Sequence, residues 1–209
     1  MKVAYELDDT SSGRLLDCAA GTGDVTCALL KSGRFSRATV VDVSAKMLQS
    51  AKDLLTSQIK NAELEFVQSD VFNFKPSDSR FDLLLCLGLI AHTGRLDILL
   101  PRLKSMLPPG GRIILQTTLT DHLGTRMLRA LTSRRELSKR GYRISWLSER
   151  DITVSCRNAG LQILETRRTS LGIPFGDWLW PWANFQLERR LQKWASPHGA
   201  DAICLLAAK

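Results

Sequence analysis

Leu15-Leu16-Asp17-Cys18-Ala19-Ala20-Gly21-Thr22-Gly23-Asp24 is the stretch on which the fold turns. An apolar run enters a turn of small residues, and a helix pattern opens at once with Val25, Ala28 and Leu29. Small residues let the backbone approach a ligand closely. A helix behind them aims its unpaired N–H groups at that ligand. A little further on, Ala38-Thr39-Val40-Val41-Asp42 reads as a second buried strand ending in one carboxylate. An acid at that place can accept both hydroxyls of a ribose. Together these features predict a nucleoside-cofactor site.

Spacing narrows the nucleoside. A dinucleotide fingerprint needs a third glycine three residues beyond the second, to make room for a pyrophosphate. Gly21 and Gly23 fill the first two places, but Thr26 holds the third. The small residues stand instead at Ala19, Gly21 and Gly23, preceded by the in-strand acid Asp17.

That pattern resembles the Asp-x-Gly-x-Gly-x-Gly motif of Rossmann-like (class I) S-adenosylmethionine (SAM) methyltransferases, with alanine at the first glycine. Within them it is similar to the small-molecule branch, the type 11/25 methyltransferases. The resemblance continues in order along the chain. Asp42-Val43-Ser44-Ala45-Lys46-Met47-Leu48 resembles the ribose acid and the helix after it, with Ser44 placed as its N-cap. Phe66-Val67-Gln68-Ser69-Asp70-Val71 resembles the third strand and its adenine-binding acid. Phe81 to Gly88 resembles strand four, and Leu107-Pro108-Pro109-Gly110-Gly111 the turn into strand five. The match is close over 13–118 and holds in outline over 148–209.

The resemblance implies roles residue by residue. Asp17 would hold the methionine ammonium, directly or through water. Ala19, Gly21, Thr22 and Gly23 would line the methionyl part and the ribose. Asp42, with Val43 beside it, would take the ribose hydroxyls. Asp70 would take the adenine amino group, and Val71 would donate its N–H to the ring. Met47 would pack on adenine or simply on the core. Cys86 and Leu87 would border the cofactor at the end of strand four, although Cys86 also reads as a small apolar filler.

Alternating strands and helices predict a doubly wound sheet. Strands are expected at 13–19, 38–42, 63–67, 81–87 and 111–118, with helices at 24–32, 45–58 and 96–107. Ser148-Glu149-Arg150-Asp151 has the spacing of a capped helix start, and Gly160 is a good left-handed stop. Strand six then runs Leu161 to Thr169, and Ala202-Ile203-Cys204-Leu205-Leu206 closes the chain. The family adds the detail: a mostly parallel seven-stranded sheet whose last strand is antiparallel. One domain over 1–209 is expected, with two long connections, 119–147 and 170–199. Both would leave the carboxyl ends of strands, where open sheets bind ligands, and would roof the acceptor site. The dozen residues before strand one would add little to that roof.

Composition limits the setting. No stretch of the 209 residues is long and apolar enough to span a bilayer, and the start lacks a signal-peptide core. Cysteines at 18, 27, 86, 156 and 204 show neither metal spacing nor pairing, so reduced thiols, a cytoplasmic location and no metal site are expected. The net charge of +8 is lopsided. Residues 1–110 carry 13 basic and 13 acidic side chains, and the remainder carry 16 and 8. A basic second half fits an anionic partner or a solvated surface. Three tryptophans (178, 180 and 182) precede an amphipathic stretch, 185–194, which fits a lid over an apolar or lipid-linked acceptor, a peripheral membrane contact, or packing on the domain itself.

The activated methyl of SAM needs positioning more than a catalytic group, so a protein base matters only where the acceptor loses a proton. His92, past strand four, and His122, past strand five, are the candidates. The reading that results is methyl transfer to a small-molecule acceptor, foremost a hydroxyl of a glycosyl, lipid-linked or natural-product intermediate. RNA modification is the alternative, although no RNA module is visible. A non-catalytic partner subunit is a third reading. A nucleotide-linked oxidoreductase is disfavoured by the glycine spacing.

Overall fold

The computed structural model describes residues 13–76, 80–122, 147–169 and 199–209, together with Gln186 and Arg190. Seven strands form one sheet in the order β3-β2-β1-β4-β5-β7-β6. They are β1 (Gly13–Asp17), β2 (Phe35–Asp42), β3 (Glu63–Gln68), β4 (Leu83–Cys86), β5 (Arg112–Thr118), β6 (Leu161–Thr169) and β7 (Asp201–Ala208). The first five strands run parallel; β7 is antiparallel to both β5 and β6. The expected fold class is therefore the observed one.

Helices α1 (Asp24–Lys31) and α2 (Ala45–Gln58) cover one face, packing Leu29, Leu30, Ala51 and Leu55 onto Leu15, Val40, Leu83 and Leu85. Helices α4 (Leu96–Lys104) and α5 (Glu149–Asn158) cover the other, where Leu99, Leu103, Ile152 and Cys156 meet Leu16, Leu84, Ile113 and Leu206. Leu83, Leu84 and Leu85 are consecutive and all fully buried, because a central parallel strand has a helix layer on each face. Each such leucine contributes about 1.5–3 kcal/mol through its burial.

The caps follow the local signals. Ser44 accepts a hydrogen bond from the Met47 N–H at 3.3 Å, and Ser148 with Asp151 forms a reciprocal capping box on α5. One element was not foreseen. Leu89–Thr93 forms a single-turn helix, α3, between Gly88 and Gly94, both in the left-handed region. Five residues are too few to show a helical period. His92 therefore lies on a short helix rather than on a loop.

The stems of the two long connections meet. Leu119 bridges Leu147, and the Thr120 N–H donates to the Leu147 carbonyl at 2.9 Å. Thr169 pairs with Asp201, and the Leu119 N–H donates to the Ala200 carbonyl at 2.7 Å. Because β5 and β6 run in the same direction, both connections leave and re-enter at the carboxyl end of the sheet. Their bodies, including the tryptophan-rich stretch and all but two residues of 185–194, lie outside the described residues.

Candidate cofactor site

β1 delivers Asp17 to the carboxyl end of the sheet, and a turn of small residues carries the chain into α1. Gly23 takes a φ of +80°, and a Cβ there would lie 3.0 Å from that of Ala51 on α2. Only glycine serves at this place, on both counts. Gly21 also has positive φ, +54°, but a Cβ there would meet nothing within 4 Å. The backbone of Gly21 thus faces open space, as a ligand-facing turn requires.

Asp42, at the tip of β2, stitches this turn to the next strand. One carboxylate oxygen accepts the Gly21 N–H at 2.9 Å and the other accepts the Ser44 N–H at 2.8 Å. Each oxygen keeps a further lone pair for a ligand hydroxyl. Val43 is 71% exposed and Met47 40% exposed beside it, an apolar shelf at the strand tip. Asp70 follows β3 and is itself exposed; it accepts the Phe72 N–H at 2.8 Å, closing its own turn, with Val71 buried behind it.

Asp17 differs from Asp42. It is almost wholly buried, and Oδ1 has no hydrogen-bond partner. Oδ2 accepts the Thr26 hydroxyl at 2.5 Å. Burial pushes the Asp17 carboxyl up to about 6; the bonds from Thr26 and from the Ala19 backbone oppose the rise, and the nearby Asp42 adds to it. A buried carboxylate oxygen without a donor is costly unless a cation or donor arrives. An ammonium meets that need, a ribose fits Asp42, and a flat base fits Val43 and Met47. The residues present therefore suit SAM. Sequence reasoning saw Thr26 only as a missing glycine; its hydroxyl contact carries no one-dimensional signature.

Cys86 is fully buried at the end of β4, beside Cys18, and burial holds its thiol near 12. Ala19, Gly21 and Leu87 are half-buried, and Thr22 is exposed, its hydroxyl bonded to Asp24. The two histidines sit differently. His92 is exposed on α3. His122 is half-buried beyond β5, between Arg168 and Asp201, and its Nδ1 is buried without a partner. Burial, and then the Arg168 charge, lower its pKa, while Asp201 pulls the other way. Arg168 is itself paired with Glu149 at 2.9 Å.

Residues 15–111 match a family model described as a methyltransferase domain. Over those residues, somewhat less than half of its length, the chain is similar to methyltransferase domains. It is 34% identical over 116 residues to the ubiquinone/menaquinone biosynthesis C-methyltransferase UbiE of Pseudomonas savastanoi pv. phaseolicola, covering 54% of this chain and 45% of that protein. The chain thus spans about half the length of the curated relatives it matches. Among solved structures, the magnesium protoporphyrin IX methyltransferase of Synechocystis PCC 6803, with bound S-adenosylhomocysteine (SAH), superposes with a TM-score of 0.67 at 16% identity, covering 100% of this chain and 79% of that one. A Haloferax volcanii methyltransferase solved with its Trm112 activator gives 0.74 at 15% identity, covering 99% and 87%. At these identities the superpositions establish a shared fold.

Proposed function

We propose that this chain transfers the methyl group of SAM to a small-molecule acceptor. The observation that carries this reading is the cradle of Asp17, Gly21 and Asp42. It pairs an unpartnered buried carboxylate oxygen with an open glycine backbone and a strand-tip acid. Bound SAM supplies an electrophilic methyl on a sulfonium. Of the chain's own residues, Asp17 would hold the cofactor's amino group and Asp42 its ribose. Positioning and exclusion of water account for most of the acceleration in such a displacement.

An oxygen acceptor is the first reading, and it must give up a proton. His122 is the first candidate base, since burial and the Arg168 charge favour its neutral imidazole. His92 is the alternative. A carbon acceptor is the second reading, supported by the relatives named as C-methyltransferases. It too must shed a proton. All five cysteines are free and buried, consistent with a reducing compartment. Among the described residues no helix is long and apolar enough to cross a membrane.

Radiolabelled SAM retained by the purified chain, with NAD not retained, is the expected first result. Label should then pass to a hydroxylated small molecule from an extract, and His122→Ala should lower kcat by roughly 10²–10⁴ with SAM affinity unchanged. Retention without transfer to any acceptor supports a non-catalytic subunit instead. Transfer to RNA replaces the small-molecule reading.

A further inference from the structure

We propose that Thr26 is a positioning residue for the cofactor: its hydroxyl fixes the Asp17 carboxylate so that the charged Oδ1 faces the ammonium of the bound methionine moiety. The inference rests on the cofactor reading above and extends it to a residue inside a helix. Thr26 is fully buried on the first turn of α1, and its hydroxyl has Asp17 Oδ2 as its acceptor at 2.5 Å. The bond occupies one carboxylate oxygen and so determines which one is left for a ligand. The opposite oxygen is the one with no partner.

The same bond bears on charge. Asp17 is faced by Thr26 from α1, by Asp42 from β2, by the thiol of Cys18 just after β1 and by that of Cys86 on β4. None of these is a cation, so the Thr26 hydroxyl and the Ala19 backbone are the groups that favour the ionised form. A hydroxyl donated to a carboxylate stabilises the anion over the acid. Loss of the hydroxyl leaves the acid protonated in a range where the wild-type site is ionised, and a protonated acid does not hold an ammonium.

Thr26→Val conserves shape and removes the donor; Thr26→Ser keeps the donor, and Thr26→Ala gives the same comparison with a smaller side chain. Two readouts test the proposal. In the unliganded protein, the Asp17 carboxyl followed by carbon-13 NMR should titrate with a midpoint near 6 in the wild type and in Thr26→Ser. In Thr26→Val it should titrate about one to two pH units higher. In calorimetry with SAH, the ratio of variant to wild-type Kd should be roughly tenfold near pH 6 and shrink toward one above pH 8.5. A ratio that does not vary with pH, or a valine variant whose Asp17 titrates as in the wild type, overturns the proposal. SAH that fails to bind the wild type overturns the cofactor reading, and the NMR titration then still decides whether Thr26 governs Asp17.

Discussion

At the amino end of the sheet the charged side chains answer one another. Arg37 pairs with Glu63 at 2.8 Å, and the Thr39 hydroxyl donates to Glu65 at 2.9 Å. A cavity of about 420 Å³ opens there, lined by Arg14, Arg37, Glu63, Glu65 and Phe81. The carboxyl end has similar residue types and a different outcome. Asp17 Oδ1, Thr93 Oγ1, Thr117 Oγ1 and His122 Nδ1 are buried toward that end without partners; Arg102 Nε, on α4, is the other such atom among the described residues. Folding satisfies nearly every buried polar group it can. On the proposed reading, these exceptions lie where a ligand would complete the set.

The sharpest test of this contrast is Asp42→Ala. On the proposed reading it removes the acceptor for two ribose hydroxyls, and each charged hydrogen bond is worth about 1.5–3 kcal/mol. SAM affinity should fall at least tenfold, to be read by calorimetry. The same change strips the Gly21 and Ser44 N–H groups of their acceptor, so the melting temperature should also drop by several degrees. An unchanged affinity in a folded variant removes Asp42 from the site.

The two glycines of the turn should break apart in a second experiment. Gly23→Ala meets both a left-handed φ and the Ala51 contact, and should cost about 2–4 kcal/mol in denaturant unfolding. Gly21→Ala carries only the conformational cost, about 1 kcal/mol. Its Cβ enters the open space, so it should weaken SAM binding out of proportion to its stability loss.

Asp17 contributes a pH dependence with a definite sign. Its carboxyl holds a proton to about 6 in the folded chain, against the ordinary 3.8. The folded state therefore binds the extra proton between those values. The stability of the unliganded protein from this group is fully present below pH 3.8 and is lost as pH rises through 6, by about 3 kcal/mol at most. Asp17→Asn should flatten that decline, raise the unliganded melting temperature at pH 7, and still weaken SAM by roughly tenfold or more. A variant less stable than wild type at pH 7 contradicts the unmet-oxygen account.

The smallest effect is expected at the other end. Glu63→Gln breaks an exposed ion pair and should change stability by under about 1 kcal/mol, with SAM affinity unmoved. A loss of cofactor binding there erases the distinction between the two ends.

Much of this molecule is local, and local features are legible in a chain. Apolar runs and turn glycines located every strand; the stated strand and helix limits shift by a few residues because sheet pairing, not propensity, sets where a strand stops. Thus β2 begins at Phe35, where it pairs with Gly13, ahead of the expected start. The helix caps at Ser44 and Ser148 needed only their neighbours. The helix α3 escaped because one turn has no period to detect.

Residue order by itself determined the parallel rhythm of strands and helices, the glycine turn and the acid at the tip of β2, because these depend on backbone sterics and short-range hydrogen bonds. Only the tertiary structure decided that Asp17 and Asp42, two acids on neighbouring strands, live in different surroundings. One accepts two backbone N–H groups, while the other is buried with one oxygen unanswered. It also decided that Thr26 reaches Asp17, and that the stems at 119, 147, 169 and 199 converge at the carboxyl end of β5. Burial and partner distance arise from packing between segments far apart in the chain, and these two quantities set the charge and the reach of a side chain.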